Sequence, residues 1–215
     1  MDTKIVAYTC IVGNYDKLHY PSEELAQKYD YVLISDDKPS DMGTFKQWID
    51  VRDICPNEIT DNTRKNRYCK INAHKIFPDY NMSIYMDGNI QLKRNLDEIC
   101  DNISDIGITV LAQTGYIDTY REAAHKMGQN VDNVDIIYKQ VEKYWKDGFP
   151  EGFGSWYCTI LVRKHNSKLC MKIMEDWWNE LCLYSKRNQI SFPYVLWKNG
   201  FCTSDVKTIL KEKEN

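Results

Sequence analysis

A carboxylate and an amide, Asp87 and Asn89, follow the short apolar run from Ser83 to Met86 and are separated by one glycine. Residues two apart on an extended chain point to the same side, so both side-chain oxygens can face one ligand. Gly88 between them lets a bulky group approach the backbone. Two such oxygens suit a hard divalent cation, Mn²⁺ or Mg²⁺, that also holds a diphosphate. An ordinary turn made by these three residues is the alternative, and the motif alone leaves it open.

A basic segment precedes that strand. Arg67, Lys70 and His74 are spaced by three and four residues, which predicts that they share one face of a helix. A diphosphate leaving group needs cations close to it, and this face can supply them. The alternative is an exposed basic helix face with a structural histidine.

Strands and helices alternate along the chain. Apolar, β-branched runs predict strands at 4–12, 29–37, 45–54, 83–87, 107–113 and 156–165. Helical patterns cover 62–77, 96–103, 119–129, 134–148, 167–185 and 188–200, the last with an interruption near Pro193. This alternation predicts an α/β fold with a mostly parallel central sheet flanked by helices. We expect one domain over 1–215, with a polar tail from about residue 206.

The predicted sheet edge gathers the polar residues. Ligands of open α/β sheets bind outside the carboxyl ends of the strands. Gly13 follows the first predicted strand, Asp36 and Asp37 end the second, and Asp87 ends the strand after the basic segment. We therefore expect these residues to meet at one edge, with the loop after the first strand and Asp36 or Asp37 holding a nucleoside.

Composition narrows the class of protein. The chain has 215 residues, a net charge of −3 and no long basic stripe, which argues against a nucleic-acid partner. Eight cysteines without a CxxC pair lie partly within apolar runs, as buried free thiols do. With no signal peptide and no run of about 20 apolar residues, we expect a cytoplasmic protein.

Four ordered blocks of the sequence resemble a glycosyltransferase-like family associated with capsular polysaccharide synthesis in bacteria and cell-wall polysaccharide synthesis in plants. The most specific is RYCKINAHKIFPDYNMSIYMDGNI, similar to the family's R-x-x-K-x-x-x-H-x-x-F-P-x-x-x-x-S-I-x-x-D-G segment. YTCIVGNYDKL, YDYVLISDD and WWNELCLYSKRNQISFPYVLWK resemble three further blocks, so the similarity runs from about residue 4 to 200. The resemblance implies a GT-A type, Rossmann-like domain, a nucleotide-sugar donor, here expected to be UDP-linked, and a divalent metal.

The resemblance also suggests roles for individual residues. The family's R-D-Q reads Arg187, Asn188 and Gln189 here, and its H-P-x-R segment is missing from residues 113–118. We expect these three residues to act in catalysis or in orienting the sugar. The expected donor-binding residues are Thr9, Gly13, Asp16, Asp36, Asp37, Arg67, Lys70 and His74.

The remaining expectations concern the acceptor and the metal. Trp156, in a glycine-rich aromatic loop, could stack on a sugar of a glycan or polysaccharide acceptor, or be an ordinary core tryptophan. Glu151 and Asp205 are candidate bases, with Glu151 also placed near the acceptor. His165, at a predicted strand end, is a candidate third metal ligand beside Asp87 and Asn89, although a lone histidine there is more often structural.

Two other functions stay open at this stage. A non-catalytic nucleotide-sugar or glycan-binding protein is favoured by asparagine at positions 89 and 188. A nucleotidyltransferase would need a glycine-rich basic phosphate loop, which the residues after the first strand match poorly. Peripheral association with a membrane biosynthetic complex would suit a polysaccharide-forming enzyme.

Overall fold

The structure is a computed structural model that describes residues 3–112 and 118–209. Seven strands alternate with helices along these residues, as the apolar periodicity predicts. The strands are β1 Ile5–Ile11, β2 Asp30–Ser35, β3 Gln47–Asp50, β4 Met82–Met86, β5 Ile108–Ala112, β6 Trp156–Arg163 and β7 Lys207–Ile209. The helices are α1 Glu23–Lys28, α2 Val51–Ile54, α3 Asn62–Ile71, α4 Ala73–Ile76, α5 Asp97–Asp101, α6 Thr119–Gly128, α7 Val134–Lys146, α8 Lys168–Leu183 and α9 Asn188–Lys198.

All seven strands form one sheet in the order β3-β2-β1-β4-β6-β5-β7. Neighbouring strands are parallel except at β6, which runs antiparallel to both β4 and β5. The first four strands follow the order of a doubly wound nucleotide-binding sheet, and the inserted antiparallel strand departs from it. The predicted α/β fold with a mostly parallel sheet flanked by helices is confirmed.

The sheet is buried on both faces, because alternate residues of each strand point to opposite sides. On β1, Tyr8 and Cys10 belong to the larger apolar core and Ala7 to the smaller one. The larger core also contains inward residues of α3, α7, α8 and α9. Helices α3 and α9 are thereby fixed against the sheet, and both begin near its β1 and β4 carboxyl edge.

Three local expectations need correction. The predicted helix over 62–77 is divided at Asn72, whose φ of −91° and ψ of 40° end α3. Helix α9 continues through Pro193 instead of being interrupted there. Part of the polar tail is ordered as β7, whose Ile209 is buried in the smaller core while the strand pairs with β5.

Among residues 3–112 and 118–209, no helix is both long enough and apolar enough to cross a bilayer. All eight cysteines are free thiols, and six of them are buried. The region where the family's H-P-x-R segment would fall lies almost wholly within 113–117, outside the described residues.

Candidate active site

A cleft of about 510 Å³ opens at the carboxyl ends of β1 and β4. It is bordered by the end of β1 and the loop after it, the first turns of α3, the residues after β4 and the loop before α9. The lining residues are Cys10, Ile11, Val12, Tyr15, Asp16, Asn62, Thr63, Asn66, Arg67, Asp87, Asn89, Val131, Lys186 and Arg187. The predicted edge site is therefore a real concavity, and Asp87 lies in it.

Asp87 is held by two buried side chains on one of its oxygens. Its Oδ1 accepts hydrogen bonds from the Lys70 ammonium at 3.0 Å and the Tyr85 hydroxyl at 2.8 Å. The Lys70 side chain is 1% exposed, whereas that of Asp87 is 22% exposed. Burial lowers the pKa of Lys70, and the charge of Asp87 opposes that shift. The second carboxylate oxygen of Asp87, Oδ2, has no hydrogen-bond partner among the described residues.

Gly88 allows a second carboxylate to approach the first. A Cβ at position 88 would lie 2.7 Å from Asp16 Cβ and 2.9 Å from Asp16 Oδ2. Burial raises the pKa of Asp16, and the nearby negative charge of Asp87 raises it further. Two carboxylates and the exposed Asn89 amide thus border the same corner of the cleft. A bound cation would relieve the repulsion between the carboxylates.

The loop after β1 is fixed by a neighbouring strand end. Gly13 has a φ of +67° and Asn14 a φ of +51°, and the Gly13 N–H donates to Asp36 Oδ2 at 2.8 Å. Asp36 therefore shapes the loop that borders the cleft. The loop presents Tyr15, which is 87% exposed, at the cleft mouth. Asp37 is exposed and does not line the cleft.

Cationic side chains line the side of the cleft formed by α3 and the loop before α9. Arg67 Nη1 donates to the neutral Asn66 Oδ1 at 2.5 Å, and neither Arg67 nor Arg187 has an ion-pair partner among the residues described. Burial lowers the pKa of Arg187, and the charge of Arg67 adds to that shift. Lys186 pairs with Asp61 at 2.8 Å. Two adjacent guanidinium groups without carboxylates are suited to a multiply charged anion.

The available oxygen ligands fit a divalent cation. Asp87 Oδ2, the Asn89 side-chain oxygen and the Asp16 carboxylate border one corner, and Mg²⁺ and Mn²⁺ prefer such oxygens. In the described part of the chain, no group of three or more histidine, cysteine or acidic side chains has metal-binding geometry.

The two histidines predicted at the site lie elsewhere. Because β6 is antiparallel, His165 follows the end of β6 farthest from the cleft: Thr159, six residues earlier, accepts from the Asp87 N–H, so the separation is roughly 20 Å. His165 is buried against the Phe77 carbonyl at 2.9 Å. His74 is in α4 beyond the break at Asn72 and lies 3.7 Å from Glu175. His165 is therefore not a third metal ligand, and His74 is not a donor contact.

The remaining candidates divide between the core and the surface. Trp156 is 5% exposed and packs edge-on against Phe192 at 5.6 Å, so it is a core residue and no stacking platform for sugars. Glu151 is exposed in the loop after α7 and does not line the cleft. Asp205 instead caps a 3₁₀ turn by accepting from the Cys202 N–H at 2.8 Å.

The three residues of the R-N-Q segment, Arg187 to Gln189, differ in their position relative to the cleft. Arg187 lines the cleft, whereas Gln189 does not. Asn188 is buried at the start of α9. Thr9 lies on the other face of the sheet and lines a small separate cavity.

Sequence reasoning missed nine of the fourteen residues that line the cleft, among them Tyr15, Asn66 and Lys186. Tyr15 and Lys186 lie within blocks that resemble the family, and Asn66 directly precedes one. Tyr15 carried a usable signal, since it precedes Asp16 in the loop after a predicted strand. Asn66 and Lys186 gave none, because polar residues on helices and loops are ordinarily solvated.

Comparison with known proteins adds the family. A family model described as TOD1/MUCI70, glycosyltransferase-like domain, matches residues 1–211, whereas no curated protein sequence matches the chain. Among solved structures, an apo form of the bifunctional glycosyltransferase WbbM aligns with a TM-score of 0.52 at 12% identity over 97% of this chain. Mouse xyloside xylosyltransferase 1, also apo, aligns with a TM-score of 0.51 at 12% identity over 96% of this chain and 85% of its own. The chain spans 39% of the WbbM chain, and at these identities the likeness shows the fold alone.

Proposed function

The chain belongs to the TOD1/MUCI70 glycosyltransferase-like family, and on that premise we propose that it is a hexosyltransferase that moves a sugar from a nucleotide-sugar donor to a glycan or polysaccharide acceptor. One observation carries the proposal: Asp87, Asn89 and Asp16 border a cleft that Arg67 and Arg187 also line, and neither arginine has an ion-pair partner among the described residues. A metal-bridged diphosphate is the ligand that such opposed groups complement.

In this proposal the diphosphate lies between the acidic corner of the cleft and the two arginines. Arg67 and Arg187 bind its oxygens, and their positive charge stabilises the negative charge that develops on the leaving group. Asp87 Oδ2, Asn89 and Asp16 would hold Mn²⁺ or Mg²⁺, which supplies Lewis-acid neutralisation of the diphosphate. The Tyr15 ring at the cleft mouth is placed to pack on a ring of a substrate, for which a UDP-linked donor is the first choice.

The lysine behind the acidic corner has a separate task. Lys70 is buried and bonded to Oδ1 of Asp87, so it does not reach the cleft. It fixes the Asp87 carboxylate with Oδ2 turned to the ligand, together with the Tyr85 hydroxyl. Lys70 is therefore a positioning residue in this proposal and not a direct donor contact.

The test is titration of UDP, with and without Mn²⁺, into the parent protein and two variants. Arg67→Ala and Arg187→Ala should each weaken UDP binding by about 10- to 100-fold, because a hydrogen bond to a charged group contributes roughly 1.5–3 kcal/mol. Lys172→Ala is the matched control, since it removes one charge from an exposed ion pair on α8. UDP binding that is equal in all four proteins would contradict the proposal.

Turnover separates the transferase from a binding protein on the same fold. The binding alternative has one specific observation in its favour: the carboxylates Glu151 and Asp205 lie outside the cleft. Metal-dependent hydrolysis of UDP-sugars, followed by mass spectrometry of released UDP, is expected of a transferase. Tight binding of donor with no hydrolysis and no transfer to any glycan would favour the binding protein.

A further inference from the structure

A fully buried arginine lies beneath α3, away from the cleft. Arg163, on β6, is 0% exposed and has no carboxylate partner among residues 3–112 and 118–209. Its Nη1 donates to the Lys70 carbonyl at 2.8 Å and the Ile71 carbonyl at 3.2 Å. Its Nη2 donates to the Tyr8 hydroxyl at 2.7 Å. Its Nη1 also lies 3.5 Å from the Met174 sulfur. A buried charge held only by uncharged acceptors is costly, so its retention asks for a reason.

The two carbonyls that Arg163 binds belong to the last turn of α3. The Tyr8 hydroxyl donates in turn to the carbonyls of Cys69 at 3.0 Å and Lys70 at 3.2 Å. Burial raises the pKa of Tyr8 to about 12, although Arg163 opposes the shift, so the phenol remains a donor. The terminal carbonyls of a helix lack partners within the helix and carry its negative partial charge. Arg163 and Tyr8 together bind this end of α3.

The bound carbonyls include that of Lys70, and the Lys70 ammonium holds Asp87. Moving the end of α3 by one ångström would move the Lys70 side chain away from the carboxylate. Arg163 and the cleft are thus joined through one residue: guanidinium to backbone carbonyl, and ammonium to Asp87. The planar fork of arginine donates to the two carbonyls and the phenol in a fixed geometry, which the flexible stem and rotating ammonium of a lysine do not reproduce.

We infer that Arg163 is a positioning residue for the active site: by binding the carbonyls that end α3, it sets Lys70 and through it the Asp87 carboxylate. The assignment of a reaction to this cleft rests on the proposed function, whereas the coupling of Arg163 to Lys70 does not.

Amine labelling of Lys70 tests the coupling without any ligand. Lys70 is buried, so brief treatment with limiting acetic anhydride should leave it almost unmodified in the parent, as read by mass spectrometry against exposed Lys172. Arg163→Met and Arg163→Lys should each raise Lys70 labelling tenfold or more, which corresponds to about 1.4 kcal/mol of easier local opening. Tyr8→Phe should raise it less, because Arg163 keeps its carbonyls.

Ser104→Ala is the control for general destabilisation. It removes a buried hydroxyl that accepts from the Ile108 N–H at 3.2 Å, beside β5 and apart from α3. All proteins are compared at urea concentrations that give them equal stability. Lys70 labelling in the Arg163 variants no greater than in Ser104→Ala would overturn the inference, and if Arg163→Met does not fold, Arg163→Lys and Tyr8→Phe decide it.

UDP titration of the same variants keeps the two proposals apart. If the parent binds UDP, Arg163→Lys should weaken that binding well beyond the effect of Ser104→Ala, and an equal effect would overturn the functional part of the inference. If the parent binds no UDP, GDP, CDP or ADP, the proposed function fails, while Lys70 labelling still decides whether Arg163 positions Lys70.

Discussion

The Asp87 and Lys70 pair predicts unequal costs for removing its two members. Lys70 is 1% exposed and Asp87 22% exposed, so each substitution leaves a different charge behind. Asp87→Asn leaves a buried ammonium with no counter-charge, and breaking a buried pair in this way costs about 3–5 kcal/mol. The lysine can instead lose its proton, which at pH 7 costs about 1.36 kcal/mol for each unit below an ordinary pKa near 10.4, or roughly 4.6 kcal/mol. Whether Lys70 stays charged or loses its proton, the expected cost of Asp87→Asn is therefore about 3–5 kcal/mol.

Lys70→Met leaves the more exposed partner. Asp87 keeps the Tyr85 hydroxyl at 2.8 Å and its access to water, and a methionine fills a similar volume. We expect a cost of about 0–2 kcal/mol, because replacing a buried charge by an apolar side chain is often neutral. The double variant should then resemble Lys70→Met, since it contains no unpaired ammonium, and the coupling in the cycle should therefore be as large as the cost of Asp87→Asn, about 3–5 kcal/mol.

Urea unfolding of the four proteins measures these values, and pH supplies an internal check. A lysine whose folded pKa is depressed weakens the fold at every pH below the pKa of the unfolded chain. Raising the pH from 7 to 9 should therefore narrow the gap between Asp87→Asn and the parent, by up to about 2.7 kcal/mol. Equal costs for the two single variants, or a gap that does not change with pH, would refute the reasoning.

The remaining predictions use Gly88 and His165. Gly88→Ala should cost about 1–3 kcal/mol and weaken Mn²⁺-dependent UDP binding, because its Cβ would lie 2.7 Å from Asp16 Cβ and 2.8 Å from Ile11 Cγ1; an unchanged melting temperature would show that this corner is loosely packed. Burial lowers the pKa of His165 to about 4 from 6.5, so the unfolded chain takes up the proton first and stability falls as the pH drops through that window. Between pH 7 and pH 5 we expect His165 to account for roughly 2 kcal/mol of loss, and His165→Gln should flatten that part of the unfolding profile; an unaltered slope would place the titration elsewhere.

The sheet edge was predictable from sequence because its signals are local. Apolar runs that end in Gly13, Asp36 and Asp87 mark strand ends, and parallel strands bring those ends together. The cleft follows from that geometry, and both Asp87 and Arg67 line it. The family blocks then supplied Arg187, whose distance along the chain hides its proximity to Arg67.

The residues placed wrongly share a physical cause: the periodicity of apolar residues determines neither the direction of a strand nor the exact end of a helix. His165 follows an apolar run like any other, but β6 is antiparallel and sends it to the opposite edge. His74 continues the spacing of Arg67 and Lys70, but the helix ends at Asn72. Ile209 looked like part of a polar tail because its strand is only three residues long and is stabilised by pairing with β5.

Four cations near the acidic corner differ in access to it, and their different burial gives them different roles. Lys70 is buried behind Asp87, so its ammonium does not contact a ligand and instead fixes the Asp87 carboxylate. Arg67 and Arg187 line the open cleft without carboxylates of their own, so their charge is available to an incoming anion. Arg163 is deepest and contacts only uncharged acceptors, among them two carbonyls of α3, so the end of α3 is the element that it holds in place. The sequence of contacts from Arg163 through Lys70 to Asp87 therefore runs from the core to the ligand, and each substitution along it should affect UDP binding less the farther it lies from the cleft.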